Sequence, residues 1–260
     1  MNYDPEEIIA SYTRNAGIED QSEKQPSLRT EIPREFIKRY IQPSDTALDA
    51  GGGVGINTIM MAGLCKSVTL LDITPEILAR ARVNINDSGH QGSIQILQGD
   101  ICDLGALEDG GFSFVVCVGD ALSYVLDQRE KAIAELIRVA KSGSILILGS
   151  DSKYGFMRLR LAEGKLDEAL DILRTDETTC GMGPKTHLYT ASGMRSLLES
   201  NGCRILEAAS TPSLSDTIDT ARYIEMNSWD ELKELEMELC TKPELLGVGL
   251  HLLFVAQKEE

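Results

Sequence analysis

Between Asp49 and Gly55 the chain sets a single carboxylate ahead of glycines at 51, 52, 53 and 55, in the run Asp49-Ala50-Gly51-Gly52-Gly53-Val54-Gly55. Glycine tolerates positive φ and has no Cβ, so such a run turns a strand sharply into a helix and lets a ligand approach the backbone. The first amides of that helix have no partners within it and can face the crevice. This is more glycine than a tight turn needs. Nicotinamide and flavin proteins use glycine loops too, so the loop alone leaves the ligand open. Two further acids narrow it. Asp72 follows about 20 residues on, where an acid can accept both ribose hydroxyls of an adenosine. Asp100, in Gln98-Gly99-Asp100-Ile101, can accept from the exocyclic amine of adenine while Ile101 packs on the ring. Asp49 would repel a pyrophosphate but can pair, directly or through water, with the ammonium of an amino acid. An adenosine at one end and an amino acid at the other describe S-adenosylmethionine better than a dinucleotide.

Such a loop must sit at the end of a buried strand, and the pattern supplies one at 46–49, with a helix opening at Gly55 and running to Gly63. Residues 67–72, 93–98, 112–118 and 144–149 read as further apolar strands, separated by helices over 75–86 and 128–141. Residues 204–208 and 248–257 complete a set of seven. Buried strands alternating with amphipathic helices predict an α/β fold, a doubly wound, Rossmann-like and mostly parallel sheet. Residues 45–260 form that domain, behind an N-terminal helical cap over 1–44. The cap reads as helices over 6–16 and 31–41, with 17–27 as a loop and Pro33 in the first turn of the second helix. The stretch 154–174, rich in leucine, interrupts the alternation just beyond the fifth strand, where such sheets keep their ligand. It is expected to be a helical lid within an insert of about 152–190. Residues 192–200 and 229–240 read as helices, and 222–227 as a strand or a piece of lid.

A methyl on a sulfonium is already activated. The protein has mainly to hold the acceptor about 3–3.5 Å away, aligned and dry. A base is needed only if the acceptor must lose a proton, so no catalytic residue is assigned. Asp120, Ser123 and Tyr124, after the fourth strand, and Tyr154 and Arg158, in the expected lid, are the candidates for facing the acceptor. His187 and His251 could act as bases, although a packed strand histidine is commoner.

The runs Leu48 to Gly55, Leu71-Asp72-Ile73-Thr74-Pro75 and Gly99-Asp100-Ile101 together resemble the successive cofactor motifs of class I methyltransferases. Ser113 departs from the pattern, where that family often has aspartate. A narrower resemblance reaches the ends. Ser11-Tyr12-Thr13-Arg14-Asn15, Ser27-Leu28-Arg29, Tyr154-Gly155-Phe156-Met157, the run Leu235 to Cys240 and Gly249-Leu250-His251 are similar to the tRNA 5-carboxymethoxyuridine methyltransferase group and its uncharacterised relatives. That resemblance implies that Arg29 binds the cofactor carboxylate, a role suited to a bidentate guanidinium. It also implies that Gly51, Gly52, Asp72, Asp100, Ile101 and Val118 line the cofactor; Ile73 belongs with them by its place beside Asp72. The tRNA enzymes are lysine-rich between strands five and six. Here 176–185 carries only Lys185, which weakens the case for tRNA, since phosphate contacts supply much of nucleic-acid affinity.

The formal net charge of −16 over 260 residues points the same way, because nucleic-acid proteins usually show a basic face. A small-molecule acceptor is therefore the first expectation. The carboxyl group of a modified tRNA wobble uridine is the second, and a nicotinamide-dependent oxidoreductase the third. No Asn/Asp-Pro-Pro-Tyr or Pro-Cys follows the fourth strand, which argues against methylation of base amino groups, glutamine or cytosine C5. No apolar run is long enough for a bilayer and the start does not read as a signal peptide, so a cytoplasmic protein without a membrane partner is expected. Cys65, Cys102, Cys117, Cys180, Cys203 and Cys240 form no C-x-x-C pair and have no ligand spacing with His90, His187 or His251. Neither a disulfide framework nor a metal is expected, and Cys180 has no evident partner for arsenic chemistry. The oligomeric state is open, with a homodimer as one option.

Overall fold

The computed structural model describes every residue except Met1, Cys180, Met182 and Thr217. Helices α1 (Pro5–Glu23) and α2 (Leu28–Tyr40) lead into β1 (Thr46–Ala50), α3 (Ile56–Ala62), β2 (Ser67–Asp72), α4 (Pro75–Ser88) and β3 (Ile94–Gln98). Then come β4 (Phe112–Cys117), α5 (Ala121–Tyr124), α6 (Arg129–Val139), β5 (Ala140–Asp151), α7 (Lys153–Ala162) and α8 (Leu166–Thr175). A small hairpin, β6 (Glu177–Thr179) and β7 (Lys185–His187), precedes α9 (Ala191–Ser200) and β8 (Cys203–Ser210). The chain ends with α10 (Ala221–Glu225), α11 (Trp229–Leu239) and β9 (His251–Lys258).

The main sheet has seven strands in the order β3-β2-β1-β4-β5-β9-β8. The first five are parallel and β9 runs antiparallel to both neighbours. The chain reverses its direction of winding between β1 and β4. That switch opens a crevice at the carboxyl ends of those strands, which is where the glycine loop sits. Alternate residues feed opposite faces, as the period of a strand requires. Leu48, Val115, Leu146 and Phe254 pack with Ile133 and Leu136 of α6. Ala47, Phe114, Ile147 and Val255 pack with Ile32, Phe36 and Ile37 of α2 on the other face.

Helix α1 continues to Glu23, through the stretch read as a loop. Its second half is polar but is tied to α4: Asn84 donates to Asp20 (2.9 Å) and accepts from Lys24 (2.8 Å). Helix α2 begins at Leu28, so Pro33 lies inside it and not in its first turn. A proline there has no N–H for the carbonyl four residues back, that of Arg29. Residues 222–227 form no strand; most of them belong to α10. The expected lid is two helices, α7 and α8. Phe156 and Ile172 pack with Leu188, while Leu161, Leu166, Leu170 and Leu173 are exposed. No helix among the described residues is long and apolar enough to cross a membrane.

Candidate functional site

The glycine loop is strapped to the end of β2. The amides of Gly51 and Gly52 donate to the Leu71 carbonyl (2.8 and 3.1 Å), and the Gly53 amide donates to Asp72 Oδ2 (3.1 Å). Asp72 Oδ1 accepts from the Thr74 amide (2.9 Å). Gly51 has φ of 68°, and a Cβ there would stand 2.7 Å from the Ala121 methyl. Gly53 has φ of 56° and open space where its Cβ would point, so its backbone lies bare to the crevice.

That crevice is a cavity of roughly 1190 Å³ including its mouth. Arg29, Asp49, Gly51, Gly52, Gly53, Asp72, Ile73, Asp100, Ile101, Val118, Asp120 and Tyr124 all line it. Gly55 does not; with φ of 84° it caps α3. Asp49 is buried, and its Oδ2 accepts from the Thr58 hydroxyl (2.6 Å). Burial pushes its carboxyl up to about 6. Burial also raises Asp72, against the amides of Thr74 and Gly53. Asp100 accepts from the Cys102 amide (2.8 Å) and from the phenol of Tyr3 (3.0 Å). Nothing in the sequence pattern marked Tyr3 for this place.

Helices α1 and α2 cover the cavity. Tyr12, Glu19 and Glu23 line it from α1, and Arg29 from α2. The half-exposed Arg29 guanidinium donates to Asp120 Oδ2 at 2.8 Å. Burial and the neighbouring Glu23 push Glu19 from 4.5 up to about 7. Between those values the folded protein holds a proton on Glu19 that the unfolded chain releases. This group's contribution to stability is therefore full below 4.5 and lost as pH rises through 7. Glu19→Gln is expected to flatten the fall in melting temperature between about pH 5 and pH 7.5 and to melt above wild type at the upper end. An unchanged slope would place Glu19 outside the buried acid set.

On the acceptor side, the hydroxyls of Tyr124 and Tyr12 meet at 3.2 Å. Ser123 is buried, and its hydroxyl accepts from the Asp151 amide (2.8 Å). Tyr154 and Arg158 stand outside the cavity lining. Tyr154 is exposed. Arg158 pairs with Asp216 and donates to the Val248 carbonyl (3.1 Å). No residue of α7 or α8 lines the cavity; Phe156 and Ile172 pack with Leu188, while Leu161, Leu166, Leu170 and Leu173 are exposed.

Asp151 and His251 converge on Asp120. His251 Nδ1 lies 3.1 Å from Asp151 Oδ1 and 3.5 Å from Asp120 Oδ1. All three atoms are buried, and none is aligned for a hydrogen bond. Asp151 Oδ2 accepts from the Thr186 hydroxyl (2.8 Å). Against the cost of burial, Arg29 and then His251 hold Asp120 below the usual carboxylate range. Burial and then Asp120 raise Asp151. Among the described residues this is the one grouping of three such side chains with ligand atoms within 4.8 Å; Arg29 already brings positive charge to it. His187 packs edge-on against Tyr189 (4.7 Å between centroids) and burial lowers it. Cys180 lies outside the described residues.

A methyltransferase domain family matches residues 48–148. Over 132 residues the chain is 31% identical to the probable methyltransferase ltbC of Aspergillus luteorubrus, covering 48% of this chain and 46% of that protein. Over 107 residues it is 31% identical to the ubiquinone biosynthesis O-methyltransferase of Xanthomonas axonopodis pv. citri, covering 40% and 44%. The matches thus span less than half the length of these curated relatives. Among solved structures, the chain superposes on a protein from the complex between the Haloferax volcanii Trm112 methyltransferase activator and a methyltransferase with a TM-score of 0.67, at 16% identity, covering 97% of this chain and 98% of that one. It superposes on an SAM-dependent methyltransferase of Methanosarcina mazei with a TM-score of 0.62, at 20% identity, covering 86% and 97%.

Proposed function

We propose that this chain, whose residues 48–148 form a methyltransferase domain on the class I methyltransferase fold, transfers the methyl group of S-adenosylmethionine to a small-molecule acceptor. The observation that carries the reading is the charge of the cavity. Among the described residues, Glu19, Glu23, Asp49, Asp72, Asp100 and Asp120 line it, against the single cation of Arg29. A sulfonium, an ammonium and one carboxylate match that set; a pyrophosphate would be repelled. The residues fit the group at each end. Asp72 faces the cavity where ribose hydroxyls would lie, Asp100 and Ile101 where adenine would, and Arg29 where the carboxylate would. Glu19, Glu23 and Asp49 offer the negative charge that an ammonium needs.

When bound, the cofactor supplies a methyl on a positively charged sulfur, which departs as a neutral thioether. The chain's own work is to hold, orient and dry. The backbone around Gly53 leaves room for close approach, and α1 and α2 shield the crevice from water. The acid-rich wall favours the charged sulfonium over its neutral product. The small acceptor is supported by the cover of α1 and α2 and by the net charge of −16, neither of which suits a polyanion.

Calorimetric titration of the purified chain with S-adenosylmethionine and with NAD tests the first half. Heat is expected with the former and none with the latter; the reverse would remove the reading. Labelled methyl groups offered to fractionated cell extract test the second half. Label is expected in the small-molecule fraction, and label mainly in RNA would replace the acceptor class.

A further inference from the structure

We propose that Asp120, Asp151 and His251 form a proton-accepting site for the methyl acceptor, freed when the cofactor carboxylate draws Arg29 away from Asp120. This rests on the methyl-transfer reading above and names the class of acceptor. In the structure Arg29 holds Asp120 Oδ2 at 2.8 Å. The carboxylate of a bound amino acid is a competing partner for the same fork. Once Arg29 turns to it, Asp120 and Asp151 face each other across His251 with less positive charge to offset them. Two buried carboxylates at such range do not both stay ionised at low cost. The site then welcomes one more proton.

The placement of the atoms fits a receiving site and not a packing accident. Thr186 occupies Asp151 Oδ2 (2.8 Å) and so leaves Oδ1 toward His251 Nδ1, 3.1 Å away. Asp151 is fully buried and His251 is 8% exposed, yet Asp120 Oδ1, Asp151 Oδ1 and His251 Nδ1 find no aligned partner. Only Asp120 of the three lines the cavity. Asp120 is thus the group that meets the acceptor, with Asp151 and His251 behind it. The charged and titratable groups facing the pair are Arg29 from α2, Glu19 and Glu23 from α1, His251 from β9 and Tyr189 beyond β7.

The acceptor this suits is a small molecule that reacts through a hydroxyl. A lone pair on its oxygen forms the bond to the methyl carbon. The carbon–sulfur bond breaks with its electron pair left on sulfur. The oxygen–hydrogen bond breaks, and the proton passes to the Asp120 carboxylate. An acceptor that reacts as a carboxylate has no proton to give and meets a wall of like charge, so methylation of an acidic group is disfavoured here.

Proton uptake on cofactor binding tests this without knowing the acceptor. The full chain carrying Glu19→Gln, which removes the cavity acid pushed up to about 7 and leaves Asp49, near 6, mostly ionised, is titrated calorimetrically in buffers of different ionisation enthalpy near pH 7. S-adenosylmethionine and S-adenosylhomocysteine, which both carry the carboxylate, are each expected to take up a fraction of a proton, below about 0.5, so that most of the bound protein keeps the site empty for the acceptor's proton. 5′-Methylthioadenosine, which lacks the amino-acid end, should take up none. Adding Asp120→Asn should abolish the uptake, with cofactor binding weakened but still measurable as heat, and Asp151→Asn should reduce the uptake. Binding without proton uptake, equal uptake with 5′-methylthioadenosine, or uptake unaffected by Asp120→Asn each overturns the proposal. So does stoichiometric Zn²⁺ binding lost in Asp120→Asn. No binding of S-adenosylmethionine at all would instead remove the methyltransferase reading beneath it.

Discussion

Gly249→Ala is expected to cost at least about 3 kcal/mol of folding stability. A Cβ at 249 would overlap the carbonyl of Pro212, and one at Gly155 would overlap the carbonyl of Gly249. Three stretches of backbone meet here with no side chain between them. Overpacking is usually relieved by a rotamer change, but a backbone carbonyl has none to make. The strain would be passed along the chain. Leu250 donates its amide to Asp216 (2.7 Å) and accepts from the Ser152 amide (2.7 Å), and His251 follows directly. The melting temperature is expected to fall by roughly 6–12 °C, at about 2–4 °C per kcal/mol for a chain of this size. Gly92→Ala is the control. Nothing lies within 4 Å of its Cβ position and its φ is not positive, so it should be neutral or stabilising by up to about 1 kcal/mol. A Gly249→Ala protein that melts alongside Gly92→Ala would show that the close approach is not needed.

What the sequence disclosed and what it hid divide by range. The strands from 46 to 149 and the loop between Asp49 and Gly55 could be read because local period and glycine density report local backbone. Asp72 and Asp100 followed from their place at strand ends. Helix α1 was cut short because residues 17–23 are polar, and only contact with Asn84 and the cavity shows why they stay helical. That truncation hid Glu19 and Glu23, which supply much of the cavity's charge. The leucines of 154–174 announce helices, but helical spacing does not say which apolar residues are buried: Phe156 and Ile172 are, whereas Leu161, Leu166, Leu170 and Leu173 stay exposed. The leucine pattern points to α7 and α8 as a lid, whereas the helices that line the cavity are α1 and α2. Arg29 and Asp120 were singled out for separate reasons, and the fold brings them to 2.8 Å. Asp151 and His251 face each other because β5 and β9 pair in register at those two residues. No spacing in the sequence encodes that meeting.

Asp72→Ala is expected to weaken binding of S-adenosylmethionine by roughly 1–3 kcal/mol, or about 5- to 150-fold. The range reflects two roles in one carboxylate. Its oxygens hold the amides of Gly53 (3.1 Å) and Thr74 (2.9 Å), so it fixes the loop, and it lines the cavity where ribose hydroxyls would bond. Melting curves separate the two. Loss of the loop contacts lowers the melting temperature of the free protein, whereas loss of the ribose contacts lowers affinity only. Asp72→Asn keeps the shape but turns an NH₂ toward one of two groups that are themselves donors. It should therefore lose most of what alanine loses. The choice of ligand locates the defect. 5′-Methylthioadenosine keeps the ribose, so Asp72→Ala should weaken it by the same factor as the whole cofactor. Arg29→Lys should spare 5′-methylthioadenosine and weaken S-adenosylmethionine, since it changes only the partner of the carboxylate. If both substitutions act equally on both ligands, the two ends of the cavity are not the two ends of the cofactor. An affinity unchanged by Asp72→Ala would take that residue out of the site.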